Sequence, residues 1–239
     1  MLRKTIPAAI ALLVMPVAAH AADISAPAGY DWTGFYIGAH GGGLFQGGDL
    51  NLAGSGDNPP DKAIDPSLDG SAFFGGVLAG FNYQMGAAVI GVEGDIGFGN
   101  AESTVSSGKA GVPRDVWRGE NKFSQTVNGH VRAKLGYAMG SMLIFGAAGL
   151  ALSNGDLDVD GYCFGDKYHT STSQDMAGWT VGGGLEYAAT DHLLLRAEYL
   201  YDDYGDQNLD LNGGPPNYWQ DRKVDLYTQT IRAAISYKF

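Results

Sequence analysis

The chain has 239 residues, of which 45% are hydrophobic and only 17% charged, with 37 glycines, 13 tyrosines and one cysteine. Charge below the roughly 25% of an average soluble domain argues against disorder, and abundant glycine without a triplet period excludes collagen and disfavours helix-rich folds. A formal net charge of −11 leaves no basic surface for DNA or RNA, and a lone cysteine closes neither an internal disulfide nor a zinc cluster.

Residues 1–21 read as a secretory signal. Arg3 and Lys4 form a positive start, Ile6 to Val17 an apolar stretch, and Ala19-His20-Ala21 a small-x-small cleavage pattern. The stretch contains Pro7 and Pro16 and is too short to span a bilayer as a helix. Cleavage after Ala21 would leave residues 22–33 as a periplasmic segment ahead of a barrel domain over 34–239. No later run is long and apolar enough for a spanning helix. An exported chain of this kind is a periplasmic protein, a secreted protein or an outer-membrane barrel.

From residue 34 onward the sequence alternates with a period of two, the signature of strands. The first strand is expected from about Gly34 to Phe45, with Phe35, Ile37 and Ala39 opposite Tyr36, Gly38 and His40. The second carries Val77, Ala79, Phe81 and Tyr83, and the third, about Ala88 to Phe98, sets Ile90, Val92 and Ile96 against Glu93 and Asp95. The fourth runs through Val131, Ala133, Leu135 and Tyr137, opposite Arg132 and Lys134. The fifth, about Met142 to Leu152, is apolar on both faces, so its register is ambiguous. The sixth holds Val181, Leu185 and Tyr187 with Glu186 behind them. The seventh alternates Leu193, Leu195, Ala197 and Tyr199 with Arg196 and Glu198, and the eighth Ile231, Ala233, Ile235 and Tyr237 with Arg232. Tyr83, Tyr137, Tyr187 and Tyr237 recur about 50 residues apart, an internal repeat of paired strands.

Short turns are expected near residues 84–87, 138–141 and 188–191, and long polar loops near 46–71, 99–122, 153–174 and 203–225. This alternation predicts an all-β fold, an eight-stranded antiparallel transmembrane β-barrel with short periplasmic turns and long extracellular loops. Each strand would need about 9–11 residues to cross. A soluble sandwich would space its turns more evenly, and a lipocalin-like barrel would turn its apolar faces inward.

With the apolar faces outward, the lumen receives Glu93, Asp95, Arg132, Lys134, Glu186, Arg196, Glu198 and Arg232. Neighbouring strands carry opposite signs, and confined charges must be paired to be tolerated. A plugged, hydrogen-bonded lumen is therefore expected, with an ion-conducting path as the alternative. Gly76, Gly80, Gly91, Gly97, Gly182 and Gly184 share that face and relieve crowding in a barrel only wide enough for side chains.

The final residues, Ile235-Ser236-Tyr237-Lys238-Phe239, resemble the signal by which the outer-membrane assembly machinery recognises barrel strands, carried by Tyr237 and Phe239. Ala234 stands where that pattern has glycine. Tyr30-Asp31-Trp32-Thr33-Gly34-Phe35-Tyr36-Ile37-Gly38, Gly80-Phe81-Asn82-Tyr83-Gln84, Gly91-Val92-Glu93-Gly94-Asp95-Ile96 and the strand from Trp179 to Tyr187 are similar to the outer-membrane protein beta-barrel domain family. The likeness is to its "porin family" branch of small alphaproteobacterial surface antigens, which includes haemin-binding members. It implies eight strands with both chain ends in the periplasm, and no single activity.

Chemistry-bearing motifs are sparse. His169-Thr170-Ser171 lacks a fixed acidic partner for nucleophilic catalysis, so no enzymatic activity is expected. Asp156-Leu157-Asp158-Val159-Asp160-Gly161 opens like a calcium loop, but Lys167 stands where a bidentate Glu is needed; a strand running beyond the membrane is the simpler reading. Tyr162, Cys163, Phe164, Tyr168 and His169 are residue types that ligate or cover haem, so haemin is one possible loop ligand, although no haem motif is present. Cys163 is either free or pairs between chains. The triplets Gly41–Gly43 and Gly182–Gly184 lie inside strand periodicity and are not phosphate loops.

The sequence thus predicts a non-enzymatic envelope protein without catalytic, metal or cofactor site. Its expected partners are outer-membrane lipid and lipopolysaccharide, the barrel assembly machinery, and host surfaces or haemin through the loops. Asp57, Asp61, Asp65 and Asp69, with Asp202, Asp203, Asp206 and Asp210, are candidates for divalent-bridged contacts. A small porin-like channel and a haemin or ligand receptor are the alternatives.

Overall fold

A computed structural model describes residues 29–53, 62–63, 69–108, 117–163, 166–209 and 221–239. The proposed signal segment lies outside these residues. Among the described residues the chain forms β1 (Gly34–Ala53), β2 (Gly70–Met85), β3 (Ala88–Gly108), β4 (Trp117–Met139), β5 (Met142–Cys163), β6 (Asp166–Ala188), β7 (Leu193–Leu209) and β8 (Asp221–Lys238). Each pairs antiparallel with the next, and β8 pairs back to β1 from Tyr36↔Lys238 to Ala53↔Asp221, closing the ring. A two-residue strand, Lys62–Ala63, adds to the outer end of β3.

The alternation places apolar side chains on the outside of the ring. Phe35, Ile37, Val77, Val92, Val131, Leu135, Leu150, Ile231 and Ile235 are all exposed, as are Tyr83, Tyr137, Tyr187 and Tyr237 near the turn end. Such a surface is stable facing hydrocarbon, where the closed ring leaves no backbone group unpaired at an edge.

The hairpins at that end are tight. Met85 pairs with Ala88 and Met139 with Met142, leaving two-residue loops led by Gly86 (φ 64°) and Gly140 (φ 62°). A positive φ at this position suits the primed turns that match strand twist, and glycine adopts it without steric cost. In the connection from Ala188 to Leu193, the Thr190 hydroxyl accepts from the backbone N–H groups of His192 (3.3 Å) and Leu193 (3.0 Å).

At the opposite end the strands correct the expected lengths. They run 16–23 residues rather than 9–11, and much of the four expected long loops is β-ladder. The region near 153–174 is strand on both sides, through Cys163 and from Asp166. Alternation continues there with its faces exchanged. Phe123, Leu157, Val159 and Met176 turn inward and are buried, while Glu102, Asp160 and Asp175 are exposed. Past the hydrocarbon, the outer wall meets water, so charged residues belong outside, while the interior takes these apolar side chains together with buried Ser103, Asn121, Gln125 and Ser153.

The ambiguous fifth strand now has a register. Ile144, Leu150 and Leu152 face outward, whereas Leu143, Phe145, Ala147 and Ala151 are buried inside. Both faces are apolar because this strand faces lipid on one side and an apolar floor in the lower lumen on the other. That floor comprises Trp32, Val89, Ala138, Leu143, Phe145, Ala147, Ala188 and Leu194, with Tyr30 packed against it.

Candidate functional site

The middle of the lumen is filled by charge. The eight residues named from sequence all project into it and all are buried: Glu93 and Asp95 from β3, Arg132 and Lys134 from β4, Glu186 from β6, Arg196 and Glu198 from β7, and Arg232 from β8. Four carboxylates face four cations. Glu93 sits at the hub: Arg196 donates to both of its oxygens (2.8 and 2.6 Å), Arg132 to one (2.5 Å) and the Tyr36 hydroxyl to the other (2.7 Å).

The rest of the network radiates from it. Arg132 also donates to Glu198 (2.6 Å) and Asp95 (3.2 Å), and Arg232 to Glu198 (2.8 Å) and Asp95 (3.1 Å). Glu186 receives Lys134 (3.1 Å) and the Arg196 Nε–H (2.7 Å). Lys134 and Arg196 also lie over the Phe145 ring, each 5.1 Å from its centroid. Bidentate guanidinium–carboxylate geometry and cation–π contact are what make such dense charge tolerable away from water.

Sequence reasoning missed several members. His130, two positions before Arg132 on the same face, bridges Asp95 (2.7 Å) and Asp202 (3.3 Å). Asp202 is fully buried and accepts a 2.8 Å hydrogen bond from Thr228. Its assignment to an acidic surface loop is therefore corrected: it continues the inward series of Arg196, Glu198 and Leu200 on β7. The period of two running past Tyr201 was the available signal. Asp203 instead accepts from the Gly205 N–H (2.8 Å) at a bulge, and Asp69 and Asp206 are exposed. Asp57, Asp61, Asp65 and Asp210 lie outside the described residues.

Below the network, the residues just before β1 close the turn end of the barrel. The Trp32 backbone N–H donates to Gln84 Oε1 (2.8 Å) and its indole N–H to the Gly140 carbonyl (3.3 Å). Tyr30 packs edge-on against Trp32 at 4.9 Å and donates its hydroxyl to the Asp191 carbonyl (3.0 Å). Burial and the nearby Asp191 carboxylate push the Tyr30 phenol up to about 12, which keeps it a neutral donor. Asp31 is held below the usual carboxylate range by hydrogen bonds from Thr33. Lys238 Nζ lies over the Tyr30 ring at 4.5 Å and donates to the carbonyls of Asp31 and Thr33, tying this segment to the last strand. Trp32 falls in the segment 22–33 that the sequence sets ahead of the barrel, and its role as a stopper was not legible there.

Tyr237 and Phe239 lie on the rim of the same end. Tyr237 stacks on His192 (5.2 Å) and meets Phe239 edge-on (5.2 Å), while the Phe239 N–H donates to the Phe35 carbonyl (3.0 Å). At the opposite tip, exposed His169 pairs with exposed Asp160 (2.9 Å). The side chains of Tyr162, Cys163, Phe164 and Tyr168 lie outside the described residues. Asp156, Asp158 and Asp160 occupy alternate positions on β5, about 7 Å apart along a strand. Among the described residues no cluster of three or more His, Cys, Asp or Glu is arranged to hold a metal.

A closed ring of eight strands with a lipid-facing apolar belt and a charged interior defines an integral β-barrel of the Gram-negative outer membrane. The pattern of the outer membrane protein beta-barrel domain family matches residues 8–239, and the chain belongs to that family. It is 34% identical over 221 residues to a 31 kDa outer-membrane immunogenic protein of Brucella melitensis, covering 88% of this chain and 85% of that one. It is 37% identical over 188 residues to a 22 kDa outer membrane protein of Rhizobium leguminosarum, covering 79% and 71% respectively. Among solved structures, the outer membrane protein OprG of Pseudomonas aeruginosa superposes with a TM-score of 0.54 at 18% identity, over 88% of this chain and 99% of that one, a likeness of fold.

Proposed function

We propose that this protein is a sealed, non-enzymatic barrel that strengthens the outer membrane and carries acidic loops at the cell surface. The observation that carries the reading is the charge-balanced network around Glu93, together with the Trp32 floor beneath it. Four cations and four carboxylates pair with one another across the lumen, with Arg132 Nε and Arg232 Nη1 left without a hydrogen-bond partner among the described residues. An ion entering this layer must break pairs that hold one another in a low-dielectric interior, where each uncompensated charge costs several kcal/mol. The apolar belt anchors the ring, the buried pairs stiffen it, and the long strands carry the barrel wall beyond the lipid.

Surface display fits the word immunogenic in the names of the Brucella relatives. Exposed polar side chains on the extended strands, such as Glu102, Asp160 and Asp175, support a reading in which lipopolysaccharide, host surfaces or haemin are the contacts. Single-channel recording in a planar bilayer tests the sealed lumen, with insertion verified by the anomalous gel mobility of unboiled protein. Inserted protein is expected to give no stable current steps. Reproducible steps of uniform size would establish the porin-like alternative instead.

A further inference from the structure

Above the lipid-facing belt the wall of the barrel parts between β6 and β7. β6 pairs with β5 without a register break from Tyr187 to Asp166, but with β7 only from Ala188 to Trp179. The parting has a local cause. Just past the last shared pair, Trp179↔Asp203, β7 enters a bulge. Its pairing with β8 shifts register between Asp203 and Gly205, Gly205 has φ 61°, and Asp203 Oδ1 accepts the Gly205 N–H (2.8 Å). A bulge bends its strand and ends pairing, and this one turns β7 away from β6. Trp179 packs against Tyr201 (5.7 Å), which stacks on Tyr227 (5.8 Å). Such an aromatic row marks the membrane interface, so the unshared stretch of β6 beyond it stands in water.

That stretch is a template for another strand. The Ala188 N–H donates to the Ser141 carbonyl, so even-numbered residues of β6 direct their backbone groups at β5 and odd-numbered ones at the far side. Among the described residues, the N–H and C=O groups of Lys167, His169, Ser171, Ser173, Asp175 and Ala177 therefore meet no partner strand. Free edges are ordinarily guarded by proline, bulges, inward charges or a covering segment. The edge of β3 has such a cover at Ser107 and Gly108, where Lys62–Ala63 pairs with it. Between His169 and Ala177, β6 has no proline and no register shift against β5. Its inward face there carries no charge, only Thr170, Thr172, Gln174 and Met176.

The outward face beside this edge is acidic. Asp175 lies on the edge strand itself, and Asp156 and Asp158 stand opposite Ser173 and Ser171 on β5. Among the described residues none of these three aspartates has an ion pair. Lys122, opposite Asp158 on β4, holds Glu102 (2.9 Å), and His169 pairs with Asp160 (2.9 Å). The serines are short, so a long side chain placed opposite Ser171 passes over it to Asp158, about 10 Å away at two strand spacings.

We propose that the free edge of β6 docks a partner polypeptide in extended form, which adds as a further strand and presents arginine or lysine at alternate outward positions. Backbone hydrogen bonds supply the affinity, and the aspartates select the charge. The proposal rests on the surface-display reading and not on the sealed lumen, so current steps through the barrel would leave it standing.

The test uses the full chain folded in detergent micelles, with amide hydrogen exchange followed residue by residue by NMR. The probe is a peptide of about nine residues alternating arginine with threonine, the length of strand from His169 to Ala177. In free protein the amides of Ser171, Ser173 and Asp175 should exchange fast, and those of Thr170, Thr172 and Gln174, paired to β5, slowly. The peptide should slow the first group at least tenfold. A peptide with glutamate for arginine, and one N-methylated at alternate amides, should each bind at least tenfold more weakly. Ser171→Pro, which removes one edge N–H, should weaken binding at least tenfold while preserving the mobility of unboiled protein; should it fail to fold, the N-methylated peptide applies the same test to the wild type. Slow exchange of the edge amides in free protein would overturn the open edge, in favour of a second copy if the protection rises with protein concentration. Equal binding of the N-methylated peptide would overturn strand addition, and equal binding of the glutamate peptide would overturn the role given to the aspartates.

Discussion

Replacing Glu93 by glutamine removes the hub of the lumen network with almost no change in volume. In the wild type its two oxygens take two hydrogen bonds from Arg196, one from Arg132 and one from Tyr36. The amide keeps one acceptor and turns an NH2 group toward a guanidinium, so two charge-assisted bonds are lost and an unbalanced positive charge is stranded. At about 1.5–3 kcal/mol per charged bond the loss is about 3–6 kcal/mol, in line with the ~3–5 kcal/mol typical of breaking a buried pair from one side. Equilibrium denaturant unfolding from lipid vesicles, followed by tryptophan fluorescence and gel mobility, measures it. The double variant Glu93→Gln/Arg196→Met removes the stranded charge as well and should recover a large part of the loss. A cost below about 1 kcal/mol for Glu93→Gln, or an additive double variant, would refute the view that these charges act as one interlocked unit.

Trp32→Ala should cost about 3–5 kcal/mol through the cavity left in the floor, and acrylamide should quench wild-type Trp32, isolated in a background where the other tryptophans are phenylalanine, far less than an exposed indole. Gly140→Ala should cost about 1–2 kcal/mol by backbone strain alone, because φ is 62° and a Cβ there meets nothing within 4 Å. Gly146→Ala, whose added methyl would sit 3.8 Å from its nearest neighbour, should be close to neutral in the same unfolding assay.

The ring of strands was legible because its faces obey one rule over the lipid-facing zone. Val131, Leu135 and Tyr137 against Arg132 and Lys134 can be sorted by period alone, and signs alternating between adjacent strands point to pairing. The rule stops serving where the surroundings change. Leu157 and Val159 read as an outer face if lipid is assumed throughout, yet beyond the membrane they are the inside. Asp202 looked like part of an acidic loop because strand length was set by bilayer thickness, and thickness does not limit a strand that continues into water. The floor was hidden for another reason. Trp32, Gln84, Gly140 and Lys238 are distant in sequence and meet only once the cylinder has closed, so no local pattern announces them.

That floor has a consequence for how the molecule is put together. Residues 30–33 touch the first hairpin through Gln84, the second through Gly140, the third through Asp191, and the final strand through Lys238. The full set of contacts of this segment exists only in a cylinder whose three hairpins and last strand are all in place. The shielded indole of Trp32 is therefore a built-in reporter that the cylinder is complete.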